Sequence, residues 1–460
     1  MIYFYAYNVI ISQLLQKEKI MLIRFRVSNF LSFKEEIEFS MVPGKSRHHP
    51  NHIISGGNSR SSIDLLRSTI FYGANASGKS NLVKAIGFAQ ELIINGAKSL
   101  QQIPVTPFKL DPDLWKKPSK FEFEIRTSGK DYLYGFEVTS EKIVSEWLYE
   151  LKLTTKELLF KRGESPEHKT IVEFGKFHKK SKNDDKFLDF VARGTRINQL
   201  FLNEIIGREI DIFKPVYLWF IDSLTLVFPE SRYKIFEQNV EEKELFSQYL
   251  SKFNTGICDI VLKPVLINDD LQRIINNKII NDLSIEQKKD CGIALVRPHG
   301  QRLFLSKNNK GEFIGHELAF KHKMGGCENE IVFNLSEESD GSIRLLDLIP
   351  ILFKNEKKGL VYLIDELDRS LHPNLCYELI ELFLKNESEN TQLIATTHES
   401  NLLDLDLLRR DEIWFIEKDN QGASNIYSLE EFTPRYDKDI QKGYLLGRFG
   451  AIPMIGKSNF

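Results

Sequence analysis

A chain of 460 residues, 42% apolar and 27% charged, can bury a large core split over several lobes and has the make-up of an ordinary globular protein. Its net charge of −2 excludes a global attraction to nucleic acid, so any such contact needs a local basic patch. The four cysteines, Cys258, Cys291, Cys327 and Cys376, are far apart and form no paired ligand spacing, which points to a reducing compartment and against a zinc site.

The first stretch, MIYFYAYNVIISQLL, is apolar but too short to span a bilayer, and it lacks a basic leader and a small-residue cleavage site. Residues 1–20 therefore read as an extension upstream of Met21, where the strand LIRFRVSNF begins. No other segment approaches membrane length, so the chain is expected in the cytoplasm and off the membrane. Through residues 21–40 apolar positions alternate as in strands: Leu22, Phe25, Val27, Phe30, Ile37 and Phe39. Residues 41–69 are polar. Their His48, His49 and His52 read as an exposed histidine-rich loop, with a metal site as the other reading.

The stretch Ile70–Lys84, IFYGANASGKSNLVK, organises the rest. A buried strand (Ile70, Phe71, Tyr72) runs into Gly73-x-x-x-x-Gly78-Lys79-Ser80 and then into a helix with Leu82, Val83 and Ile86 on one face. Strand, glycine loop and helix in that order form a phosphate-binding loop. The glycines let backbone N–H groups turn inward around phosphates, Lys79 reaches the β- and γ-phosphates, and Ser80 can hold Mg²⁺. This implies a bound nucleoside triphosphate.

Beyond that helix, strands are expected at Lys120–Ile125, Tyr132–Val138, Ile143–Leu153 and near Leu158–Phe160, forming an antiparallel sheet added to the nucleotide site. Lys176, His178, Lys179, Lys180 and Lys182 make a basic stretch, read as solvated or as a nucleic-acid contact. From about 190 to about 290 the spacing looks helical (Leu200, Phe201, Ile205, Trp219, Phe246, Leu250), without a sustained heptad, so an inserted helical lobe is expected. The resulting division is 1–20 extension, 21–175 first part of the domain that carries the phosphate loop, 176–329 insertion and 330–460 second part of that domain.

The second half of the site follows. Val361–Glu366, VYLIDE, reads as a buried parallel strand ending in two acids. Asp365 would orient Mg²⁺, and Glu366 would accept a proton from the attacking water. Gln392–Thr396 is a further strand that leads to His398, at the strand end where ligands bind in open α/β sheets. Ser339-Asp340-Gly341 enters an amphipathic helix, offering a hydroxyl and free N–H groups at its positive end.

In order, these elements resemble the ABC-type ATPases, in particular the SMC/RecF/OLD branch, over residues 21–160 and 330–460. Ser339–Gly341 is similar to the signature motif, Leu367–His372, with Asp368, to the D-loop, and His398 to the switch histidine. Finer features (ESDGSIRLLDLIP, LIDELDRSLHP, TTHESNLLD, RRDEIWFIEKD, YLLGRFGAIP) resemble a bacterial AAA family found in abortive-infection and other anti-phage systems, including PARIS-like modules. The resemblance implies an α/β fold: an ABC-type P-loop ATPase head with an added antiparallel sheet and an inserted, mainly helical lobe. It also implies ATP and Mg²⁺, with Gly73, Asn75, Gly78, Lys79, Ser80, Asn81, Ser339, Gly341 and Asp368 on the nucleotide, Ser80 and Asp365 on the metal, and Lys79, Glu366 and His398 in catalysis. Two copies would sandwich two ATP molecules, Ser339 and Gly341 reaching across. The signature departs from the transporter form, and the Q-loop residue is open between Gln90, Gln101 and Gln102.

The implied role is an ATP-hydrolysing sensor or scaffold in phage defence, triggered by nucleic acid or a phage protein and controlling a separate nuclease effector. The stretch after His398 is shorter than a typical domain of about 100 residues, and its Asp404, Asp406 and Asp411 fall in an expected helix and the turn after it. No nuclease domain is therefore expected in this chain. The alternative is a RecF/SMC-like ATPase that binds DNA through Lys176–Lys182, Arg409 and Arg410.

Overall fold

Alternating strands in the first third of the chain become a sheet with one face on the core. In this computed structural model, the residues described are 19–56, 63–97, 101–164, 170–176, 182–206, 208, 211–229, 240–265, 293–296, 302–307, 313–324, 329–353, 359–386, 390–432 and 439–453. The chain forms two compact units. One comprises Met1–Leu226, Lys354–Leu367 and Ile380–Phe460; the other comprises Val227–Phe353 and Asp368–Leu379.

Among the described residues, the first unit contains two large sheets and a small one that pairs Ile53–Ile54 with Leu65–Leu66. A seven-stranded antiparallel sheet runs Thr170–Phe174, Lys156–Glu164, Ile143–Leu151, Lys130–Val138, Ser119–Thr127, Met21–Ser28, Ile37–Ser40. The expected added sheet is there, extended by the first two strands of the chain. The second sheet has six strands in the order Leu224–Val227, Leu360–Ile364, Thr391–Thr396, Ser68–Tyr72, Ile413–Lys418, Ser424–Ser428. The strands from Leu360–Ile364 to Ile413–Lys418 pair in parallel, and Ser424–Ser428 turns back antiparallel.

Aromatic rings fill the core of this unit. Phe39 meets Phe71 edge-on at 5.0 Å, Phe25 lies 4.8 Å from Phe123, and Phe88 of the helix Lys79–Asn95 lies 5.2 Å from Phe121. That helix buries Leu82, Val83, Ile86, Ala89 and Ile93, the three-and-four spacing expected of a core-facing stripe. The buried Gln392 amide accepts from Leu22 N at 2.7 Å and donates to Leu22 O and Leu66 O, pinning the two sheets together. In the antiparallel sheet the fully buried Glu146 accepts from Phe201 N (2.6 Å), Leu202 N (3.0 Å) and Tyr134 Oη (3.0 Å). Burial pushes its carboxyl above the ordinary value, and the neighbouring Arg162 guanidinium pulls it part of the way back.

The insertion departs from the expected helical lobe. Lys182–Gly194, Phe201–Ile206, Lys214–Leu218 and Val240–Lys252 are helices. However, Ile257–Val265, Ile293–Val296, Arg302–Lys307, Phe313–Lys323 and Glu330–Asn334 form a five-stranded antiparallel sheet. The β-branched run ICDIVLKPV explains the first of these strands: its Pro264 would break a helix interior. Residues up to Leu226 group with the nucleotide-loop strands, and the helix Asp340–Leu348 groups with the inserted sheet. Within that second unit, Phe246 packs edge-on against Phe353 at 4.8 Å.

Parallel pairing has one consequence for chemistry. The strands Ser68–Tyr72, Leu360–Ile364 and Thr391–Thr396 all end on the same side of the sheet, so Gly73, Asp365 and Thr397-His398 emerge together.

Candidate functional site

The strand Ser68–Tyr72 is buried throughout, which fixes where the glycine loop leaves the sheet. Ala76 and Gly78 take left-handed angles, φ 62° and 117°, and the helix starts at Lys79. A Cβ at Gly78 would collide with Ser424 Oγ and Ser32 Oγ, so glycine is required by space as well as by angle. Lys79 is buried and curls back over the loop, its Nζ donating to Gly73 O (2.7 Å) and Ala74 O (3.1 Å). The loop therefore holds a buried cation beside the first turn of a helix, a setting that suits a phosphate chain.

Asp365 meets Ser80 from 285 positions away, with Ser80 Oγ donating to Asp365 Oδ1 at 3.2 Å. The same carboxylate oxygen accepts from Thr396 Oγ1 at 2.6 Å. Thr396 Oγ1 in turn accepts from Glu366 N at 2.9 Å, and Thr396 O accepts from Leu367 N at 2.9 Å. One threonine thus stitches the acidic strand end to its neighbour. Glu366 is held at φ 49°, a left-handed angle uncommon for a side chain of this size, so the backbone turns sharply between the two acids. Glu366 is half-buried, and His398 is exposed just past the adjacent strand.

The structure thus brings Gly73, Gly78, Lys79, Ser80, Asp365, Glu366 and His398 to one end of the parallel strands. Asn75 stands exposed at the loop tip. The Asn81 amide donates to Ser32 Oγ at 2.8 Å. Ser339, Gly341 and Asp368 belong to the other compact unit. There Ser339 caps the helix Asp340–Leu348, its Oγ accepting from Ser342 N at 3.1 Å. A Cβ at Gly341 would come within 2.9 Å of Ser370 O, so the segment around Ser370 leaves room for glycine alone without adjustment. Glu338, directly before Ser339, lies 2.6 Å from His322 Nε2 of the inserted sheet. Of the glutamine candidates, Gln90 donates to Phe220 O and Leu224 O, whereas Gln101 and Gln102 are exposed.

Three expectations are corrected. Arg409 is only 1% exposed, paired with Asp411 at 2.6 Å and donating to Ser46 O and His48 O, so it is no DNA contact. The histidine loop is not simply exposed: His52 is buried with Nδ1 2.9 Å from Glu412 Oε2, and His49 Nε2 donates to Leu405 O. The cause is the buried Glu412 carboxylate, which also accepts from Ser68 Oγ and which no local pattern links to residue 52. Asp404 and Asp406 lie in a turn, and Asp411 in the short 3-10 helix Arg410–Glu412, with no α-helix there. Within the basic stretch, residues 177–181 lie outside those described.

Sequence reading missed Thr396, Ser32 and Ser424. Thr396 had a faint signal, a hydroxyl closing an otherwise apolar buried strand. The two serines had none.

Residues 68–404 match the family described as "AAA domain, putative AbiEii toxin, Type IV TA system". The chain belongs to this AAA family. It has the α/β core, glycine loop and acidic strand of a P-loop ATPase. Among solved structures it is similar to the SMC head domain from Thermotoga maritima, at 15% identity and a TM-score of 0.37, over 88% of this chain and 98% of that one. An Smc head domain with an extended coiled coil, bound to the C-terminal domain of ScpA derived from Pyrococcus furiosus, gives 13% identity and 0.37 over 90% and 97%. The assignment rests on the family match and the site geometry. No curated protein sequence matches the chain. Among the described residues, no helix of this AAA protein is long and apolar enough to cross a membrane.

Proposed function

We propose that the chain binds and hydrolyses ATP with Mg²⁺ as a dimeric sensor or scaffold of a bacterial anti-phage, abortive-infection system, and that it controls a separate nuclease effector. The observation that carries the enzymatic part is the hydrogen-bonded series Ser80–Asp365–Thr396–Glu366, which starts next to the buried loop cation Lys79. The defence role is supported by the family description, which names an AbiEii toxin and a type IV toxin–antitoxin system.

In this proposal each residue has a part. Backbone N–H groups of the glycine loop and the Lys79 ammonium would neutralise the phosphate chain. A hydroxyl and a carboxylate oxygen suit a hard cation, so Ser80 and Asp365 would hold Mg²⁺, which supplies positive charge to the β- and γ-phosphate oxygens. Glu366 takes the proton from the attacking water, and the left-handed turn held by Thr396 keeps its carboxylate from following Asp365. His398 contacts the γ-phosphate and reports its presence. Ser339 and Gly341 at the capped helix end, with Asp368, complete the pocket from a second copy.

Gel filtration with light scattering, alongside phosphate release, tests this. Glu366→Gln should keep ATP, stop turnover and accumulate as the ATP-bound dimer. Ser339→Arg should bind ATP yet stay monomeric. Wild-type turnover in Glu366→Gln would remove the base, and unchanged assembly of Ser339→Arg would remove the sandwich. The alternative of a directly DNA-binding ATPase loses Arg409 to burial; ATPase stimulation by DNA with salt-dependent affinity would restore it.

A further inference from the structure

Behind the glycine loop lies a chain of hydrogen bonds with no part in the chemistry above. Ser424 Oγ lies 2.5 Å from Ser77 O and 2.8 Å from Ser32 Oγ, and Asn81 Nδ2 lies 2.8 Å from Ser32 Oγ. Ser424 N also donates to Ser32 O at 2.7 Å. All three serines are buried.

The proton directions follow from the chemistry of each group. A carbonyl oxygen only accepts, so Ser77 O takes the single hydroxyl proton of Ser424. Ser424 Oγ must then accept from Ser32, and Ser32 Oγ must accept from the Asn81 amide. The result is a one-way series, Asn81 to Ser32 to Ser424 to Ser77 O, in which each hydroxyl donates once and accepts once. Its two ends sit on the loop and on the first turn of the following helix, on either side of Gly78 and Lys79. The two hydroxyls also occupy the space a Cβ at Gly78 would need, so they form the wall against which the left-handed turn is pressed. They come from places remote in the chain: the turn after the first strand and the start of the last core strand.

We propose that Ser32 and Ser424 are positioning residues for the phosphate loop, holding its N–H groups in the conformation that receives a triphosphate. This rests on the triphosphate reading above. The serines touch no substrate; they act through Ser77 and Asn81. Because the loop grips phosphates common to both nucleotides, ATP and ADP affinities fall together when the series is cut. Turnover at saturating ATP is kept, since Asp365, Glu366 and Thr396 are held by other bonds.

The test measures Kd for fluorescent ATP and ADP analogues, KM, kcat and thermal unfolding in the full chain and in Ser32→Ala, Ser424→Ala and the double variant. Each single change should weaken both nucleotides by roughly tenfold, the loss of about one buried hydrogen bond, with kcat within about twofold. The double variant should bind no worse than the weaker single, because both cut one series. Should Ser424→Ala fail to fold, Ser32→Ala carries the same expectation. Wild-type nucleotide affinity in the folded variants, alongside loss of binding in Lys79→Ala, would overturn this inference and leave the triphosphate reading standing. A wild-type chain that binds no nucleotide would overturn both, and strictly additive losses in the double variant would overturn the shared series.

Discussion

Thr396→Val isolates the hydroxyl that joins the two acids. Valine keeps the size and β-branching of threonine, so the buried strand Thr391–Thr396 retains its packing, and only Oγ1 is lost. Two bonds go with it: the donation to Asp365 Oδ1 at 2.6 Å and the acceptance from Glu366 N at 2.9 Å. A hydrogen bond to a charged group contributes about 1.5–3 kcal/mol. Felt wholly in the transition state, that loss lowers kcat by roughly 10- to 150-fold, at about 1.36 kcal/mol per decade. Nothing on the glycine loop changes, so ATP should bind within about threefold of wild type, since surface features away from the change move affinity little. Phosphate release as a function of ATP, with Kd measured separately, resolves the two effects. A Thr396→Val chain with wild-type kcat would refute the claim that this hydroxyl sets the acids, and an equal loss in Kd would show a collapsed site instead.

Two further outcomes follow from other parts of the molecule. His322→Ala leaves the almost fully buried Glu338 carboxylate without its 2.6 Å partner next to the capping Ser339. The proposed ATP-driven dimerisation should weaken about tenfold or more, given what an unpaired buried charge costs, while monomer ATP affinity stays unchanged; light scattering against ATP concentration checks it, and undiminished assembly would sink it. Glu146 supplies a pH dependence. Its carboxyl is raised above 4.5 by burial, so the folded chain holds that proton more tightly than the unfolded chain. The stability it contributes is greatest below about pH 4.5 and falls as pH rises through the raised folded value. The Tm advantage of wild type over Glu146→Gln should therefore shrink between about pH 4 and about pH 7, and a widening gap would reverse the sign.

Much of the site could be read along the chain because its parts are local. A glycine loop, a strand ending in Asp365-Glu366 and a histidine past a strand each need only a few consecutive residues of the right type, and backbone sterics do the rest. The antiparallel strands were legible for the same reason, their apolar period of two being a local property. Misreadings arose where a partner lies far off. The helical spacing near Phe246 runs on along the sequence towards ICDIVLKPV, but strand pairing with Phe313–Lys323 decides that segment. Arg409 looked like a surface cation until Asp411 and two carbonyls of the histidine loop enclosed it.

By itself, then, the order of residues determined that a triphosphate loop, an acidic strand and a helix-capping Ser-x-Gly turn exist in this chain, since each is written in neighbouring side chains. Only the tertiary structure decided how they are held. The meeting of Ser80 with Asp365, the threonine between the two acids and the serines behind Gly78 depend on strand order in a parallel sheet. Hydrogen bonds are short and directional, and chain distance says nothing about which donor will face which acceptor.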